Sequence, residues 1–217
     1  FMSAPVMWLL LFLAVVLALL VAVLTHTRFT PRKIAVIGMM AALSFVAYEF
    51  FRIPNVLGTG SSFHLGNTFT SLTALLLDGV SGGLAGAIGL ALADVVAGDP
   101  GYAVTTFILK FTIGLACGWC AKNVFKLHQL DPKTTPRGKY LLAVTGSAFS
   151  GLLLNVFTDP FLGYFRNRYI FGQTVELASI ATKIASGVTL VNSVLSCICV
   201  VILYLALRPA LERSKLL

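Results

Sequence analysis

Long apolar stretches broken by short polar joints run the whole length of the chain. They predict membrane helices near 4–25, 34–51, 65–78, 80–97, 103–126, 139–163 and 176–207, because a helix needs roughly 20 apolar residues to cross the hydrocarbon of a bilayer. The last stretch is longer than one crossing and is expected to tilt or to project into water. Two joints, Asp78-Gly79 and Gly98-Asp99-Pro100-Gly101, carry turn chemistry. The longest connections are 52–64, 127–138 and 164–175.

Composition agrees with this pattern. Of the 217 residues, 58% are hydrophobic and 11% charged, and the mean hydropathy is +0.92; a soluble domain carries about 25% charge. The expected fold class is therefore an all-α integral membrane bundle with no separate soluble domain. The net charge of +8 reads as anchoring at a cytoplasmic membrane face rather than as affinity for nucleic acid. With segment 26–33 placed in the cytoplasm, most cations fall inside: Arg28, Arg32, Lys33, Lys122, Lys126, Lys133, Arg137, Lys139, Arg208, Arg213 and Lys215. Arg52, Arg166 and Arg168 fall outside, and Lys110 and Lys183 within helices. This bias puts the N-terminus outside and the C-terminus in the cytoplasm of a bacterial-type cell membrane. The first segment lacks the basic start and short apolar run of a secretory signal. It is expected to be retained, as an extra helix in 1–27 ahead of a six-helix domain in 28–217.

Small residues recur in two places. The run Gly79-Val-Ser-Gly82-Gly83-Leu-Ala-Gly86-Ala-Ile-Gly89 lacks the Lys-Ser/Thr of a phosphate-binding loop, and no strand precedes it. Its three- and four-residue spacing reads as close helix packing in lipid. Gly38 and Ala42, with Ala35 and Ala41, form a second small-residue surface. It suits either a neighbouring helix of the same chain or a partner membrane protein. Cys117, Cys120, Cys197 and Cys199 lack the geometry of a four-thiolate zinc site and read as small packing residues. No metal site and no cofactor are expected.

The ionisable residues of the outer half carry more information. Asp94, Lys110, Asn155, Asp159 and Lys183 come from four predicted helices and share the outer half of the bilayer. A charge in hydrocarbon costs about 2.5–3.5 kcal/mol or more, so such groups face a cavity or one another. The alternatives are a structural ion pair, such as Asp94 with Lys110, and a polar pocket that opens outward. Loop 52–64, rich in Gly and Ser, suits a lid over that pocket or a plain connector. His64, next to it, suits a helix-end hydrogen bond or a ligand contact.

From Lys33 to Trp119 the chain resembles the substrate-binding S component of energy-coupling factor (ECF) transporters. Four pieces carry the resemblance: Lys33-Ile-Ala-Val-Ile-Gly-Met-Met-Ala-Ala-Leu; His64-Leu-Gly-Asn67; the glycine-rich helix from Leu77 to Asp94; and Tyr102-Ala-Val-Thr-Thr-Phe-Ile-Leu-Lys110-Phe-Thr-Ile-Gly114. The resemblance implies six core helices, to which segment 4–25 is an addition. It implies a binding protein rather than an enzyme, which captures a vitamin or vitamin-like solute from outside, topples in the bilayer and releases it inward. Its implied partners are a membrane coupling (T) subunit, docking on Ala35, Gly38 and Ala42, and two ATPase subunits, shared or dedicated. The expected substrate-binding residues are Tyr48, Glu49, His64, Asn67, Asp94, Tyr102, Thr106, Lys110, Asn155 and Lys183.

The His64-Leu-Gly-Asn67 piece, together with the lack of an acidic second-helix signature of riboflavin S components, resembles the subgroup for pyridoxine-type vitamins and hydroxymethylpyrimidine. Pantothenate, queuosine precursors and cobalamin stay open. The rival reading is a self-sufficient secondary carrier, which the absence of a convincing repeat between the two halves disfavours. A membrane protease would need a paired acid, a Ser/His set or an H-E-x-x-H helix, and none is present.

Overall fold

The structure is a computed structural model that describes residues 4–54 and 62–214, without the side chains of 4–9, 11, 12 and 54. Among the described residues, seven α-helices follow the predicted stretches: α1 (Ala4–Thr25), α2 (Pro31–Glu49), α3 (Asn67–Leu76), α4 (Gly79–Val96), α5 (Ala103–Trp119), α6 (Arg137–Phe165) and α7 (Val175–Arg213). Among the described residues, the helical stretches 31–49, 79–96, 100–124, 137–170 and 175–213 are long and apolar enough to cross a membrane.

Local chemistry sets the helix starts. Thr30 accepts from the Lys33 N–H at 3.2 Å, and Pro31 supplies a preset backbone angle in the first turn of α2. Asp78 accepts from the Ser81 N–H at 2.9 Å and starts α4. The Asp78 carboxylate also meets the Lys33 ammonium at 2.6 Å, tying the starts of α2 and α4 together. Burial works upward on the Asp78 carboxyl, but the Lys33 and Ser81 hydrogen bonds outweigh it and hold the group below the usual carboxylate range.

The glycine-rich run is consumed by packing. A Cβ at Gly82 would strike Ala74 of α3, at Gly86 Thr70 of α3, and at Gly89 Ala41 and Ser44 of α2. Gly83 and Gly114 abut backbone to backbone, as do Gly79 and Gly118, so α4 and α5 lie unusually close. The stripe on α2 differs: Ala35, Gly38 and Ala42 are exposed, and nothing lies within 4 Å of a Cβ built on Gly38.

Two predicted boundaries move. The stretch 65–78 yields only the ten residues of α3, which rise about 15 Å, half a bilayer core. Nine of those ten are buried, from Asn67 to Leu76, so α3 is a central post rather than a lipid-facing span. The connection expected at 164–175 is mostly helical. α6 continues past the internal Pro160 and ends in a π-helical turn, Arg166–Ile170. In the loop expected at 52–64, Ile53–Pro54 (β1) pairs antiparallel with Ser62–Phe63 (β2); the rest of the suggested lid, 55–61, lies outside the described residues.

The main core fills the half of the bundle that contains the starts of α2, α4 and α6. It is built from Met40, Leu72, Leu75, Ala85, Ile113, Cys117, Val144, Ala148, Leu152, Val200 and Tyr204. The cysteines are free. Cys117 is fully buried there, its Sγ donating to the Ala148 carbonyl at 3.3 Å. No cluster of His, Cys, Asp or Glu suited to a metal occurs among the described residues.

Candidate functional site

At the opposite end of the bundle a cavity of about 90 Å³ is enclosed by α2, α3, α4, α5, α6, α7 and β2. Of the ten sequence-predicted residues, eight line it: Tyr48, His64, Asn67, Asp94, Tyr102, Thr106, Lys110 and Asn155. The other two do not. Glu49, next to Tyr48 on α2, is half-buried and turned away from the cavity, and Lys183 lies on an exposed face of α7. The helical period explains both. Residue 49 is about 100° around the helix from 48, and on α7 the wall is built by Ala181, Thr182, Ala185, Val188, Thr189 and Asn192.

The charges are arranged so that some polar groups are used and others are left open. Both Asp94 oxygens are engaged: the Tyr48 hydroxyl donates to Oδ1 at 3.1 Å, and the Thr106 hydroxyl donates to Oδ2. The expected alternative, an Asp94–Lys110 ion pair, is not formed. Lys110 is 6% exposed, and among the described residues it has neither a hydrogen-bond nor an ion-pair partner. Asp159, on α6, takes the Thr189 hydroxyl from α7. Asn155 is 1% exposed, and both its amide oxygen and its amide nitrogen are buried without a partner; the side-chain oxygen of Asn67 is in the same condition. Buried amides are normally satisfied, so these open groups are what a ligand in the cavity would meet.

Three wall residues escape a reading by sequence position. Arg166, placed in an outer loop by its distance from the apolar run, is 9% exposed. It opens the π-helical turn that continues α6, and its guanidinium sits 3.9 Å from the centre of the Tyr102 ring and donates to Thr105 at 2.9 Å. Asn167 follows it into the wall. Asn192 grips β2 like a neighbouring strand: its amide donates to the Ser62 carbonyl at 2.9 Å and accepts from the His64 N–H at 3.2 Å. The only hint of Asn192 in the sequence is an amide inside an otherwise apolar run. Arg52 completes the mouth, donating to Ser62 at 2.9 Å and pairing with Asp99 at 3.3 Å.

His64 packs on Tyr48 with ring centres 4.8 Å apart, and its Nδ1 accepts from the Gly66 N–H at 3.2 Å. Burial and the nearby Lys110 and Arg52 charges push its pKa down to about 3, so it is neutral at pH 7. Among the described residues the site holds carboxylates, amides and cations, an arrangement suited to holding a polar solute.

A family model described as ECF-type riboflavin transporter, S component, matches residues 28–209. A protein of Pyrococcus woesei, described as an uncharacterized protein in the gap 3′ region, is 30% identical over 129 residues, which is 58% of this chain and 74% of that protein. No solved structure matches.

Proposed function

Because this chain belongs to the S-component family of ECF-type riboflavin transporters, we propose that its cavity captures a small, uncharged heteroaromatic vitamin or precursor from the outer face, hydroxymethylpyrimidine ahead of pyridoxine. The observation that carries this reading is the cavity itself. Its small volume, about 90 Å³, suits one substituted ring better than a three-ring flavin with its ribityl chain. Two carboxylates, Asp94 and Asp159, balance two cations, Lys110 and Arg166, which favours a neutral solute over a phosphorylated one.

The open groups suggest how the ring is read. The Asn155 amide offers a donor and an acceptor side by side, which pairs with the ring nitrogen and amino group of an aminopyrimidine. Lys110 supplies a donor to a ring nitrogen or hydroxyl, and Asn67 accepts from a hydroxymethyl group. A buried, otherwise unsatisfied site of this kind rejects analogues that leave its groups unpaired. Riboflavin is the second reading: it is in the family's description, and its imide edge also matches the Asn155 amide. Titration calorimetry of the purified chain with hydroxymethylpyrimidine, pyridoxine and riboflavin decides. Tight binding of the pyrimidine alone is expected; tight binding of riboflavin alone would replace the first reading with the second.

Ligand entry from outside follows from the placement of the cations, with the N-terminus outside and the C-terminus in the cytoplasm. Toppling in the bilayer then turns the mouth inward, driven by a coupling subunit and two ATPase subunits. The exposed Ala35, Gly38 and Ala42 stripe is the proposed docking face. Gly38→Leu should leave vitamin binding and the melting temperature unchanged and abolish ATP-dependent uptake in reconstituted vesicles. Uptake by this chain alone on a proton or sodium gradient would instead support a secondary carrier.

A further inference from the structure

A second cavity, unrelated to the polar one, separates α1 from the rest of the bundle. The family match begins at residue 28, so α1 is an addition to the shared fold. It runs beside α5 and α6 but stands off from them across an apolar cleft of about 700 Å³. Leu13, Val16, Leu20 and Val23 recur at three- and four-residue spacing and form one wall, facing Phe107 and Phe111 of α5.

The lining excludes a polar ligand. Thr112 and Thr158 are its only polar side chains, and each donates its hydroxyl to a carbonyl of its own helix, Ile108 at 2.8 Å and Leu154 at 3.1 Å. Among the described residues no side-chain proton is left to donate to the occupant. What fits is a hydrocarbon chain. At the end of α1 the chain continues as His26-Thr27-Arg28 and on to Arg32 and Lys33, and no Asp or Glu precedes Glu49. Lys33 is committed to Asp78, whereas Arg28 is exposed and has no acidic partner among the described residues.

We infer that the cleft between α1 and α5–α6 is a binding site for one anionic phospholipid, its hydrocarbon chain between the helices and its headgroup on Arg28. The lipid holds α1 to the bundle in place of side-chain packing. The site is independent of the vitamin pocket and of the vitamin's identity.

The test is native mass spectrometry of the whole chain released from nanodiscs of equal phosphatidylglycerol and phosphatidylcholine. One retained phosphatidylglycerol per chain is expected, enriched about fivefold over phosphatidylcholine, the value of one surface cation. Arg28→Gln should keep a lipid but lose the preference. A Val16→Trp, Val104→Trp double variant places two indoles across the cleft and should lose the lipid while binding vitamin normally. The exposed Leu142→Trp is the control for unspecific adhesion and should retain it. Wild type without lipid, equal retention of both lipids, retention by the double variant, or a lipid-free dimer with a second copy in the cleft would each overturn the inference.

Discussion

The two halves of this bundle solve opposite problems with the same helices. In the half holding the starts of α2, α4 and α6, glycine and alanine let the backbones touch and the interior is filled. In the other half the buried cluster shrinks to Tyr48, Leu90 and Ala93, and charged and amide side chains surround a cavity. The first half pays in design freedom, because almost any added atom meets backbone. The second leaves polar groups unsatisfied inside the membrane, a cost that binding a ligand recovers. Stability and recognition are thus separated along the bundle axis, and substitutions should sort accordingly.

The largest effect is expected at Gly114, where a Cβ would meet the Gly82–Gly83 backbone. Gly114→Leu should cost about 3 kcal/mol or more, and gel filtration should show aggregation in place of a monodisperse peak. A variant that melts normally would break the comparison. Asn155→Ala should act in the opposite way. It removes a buried amide that nothing in the protein satisfies, so affinity should fall about tenfold to a hundredfold while the ligand-free melting temperature stays level or rises. Calorimetry and thermal melts on the same sample check both.

Asn192→Ala should cost about tenfold in affinity by releasing β2 at two hydrogen bonds. Its signature is faster ligand dissociation with little change in the melt, since the strand ribbon lies outside the main core. The smallest effect concerns pH. His64 is held neutral when folded, with its pKa lowered to about 3, so the unfolded chain binds the extra proton between that value and about 6.5. Stability from this residue is complete above about pH 6.5 and is lost as the pH falls toward 3. Moving from pH 7.5 to 6 should destabilise the cavity half of the bundle by about 1 kcal/mol, and His64→Gln should flatten that dependence in a thermal melt.

Much of this was legible in the residues. Apolar run length located the long helices, because hydrocarbon thickness imposes a minimum length on a crossing; it overstated α3, whose ten residues are buried in the bundle and do not cross. The glycine spacing of α4 announced close packing, since only small residues let helices approach in lipid. Asp94, Lys110 and Asn155 stood out as polar groups where such groups are costly. Arg166 did not, because it lies just past the apolar run, and only the continuation of α6 into the π-helical turn that Arg166 opens keeps it beside Tyr102 and Thr105. Lys183 misled for a related reason: depth in the bilayer can be counted from sequence, but the face of a 39-residue helix that meets the cavity depends on how its neighbours pack.

The order of the spans, the bias of the cations and the chemistry available to the cavity half are properties of the chain itself, because the cost of putting each residue in lipid or water is local. Which polar groups consume one another and which stay open is not local. Asp94 is spent on Tyr48 and Thr106 while Asn155 is left with both ends free, and that division arises only when α2, α5 and α6, distant in sequence, are packed around the same few ångströms of space.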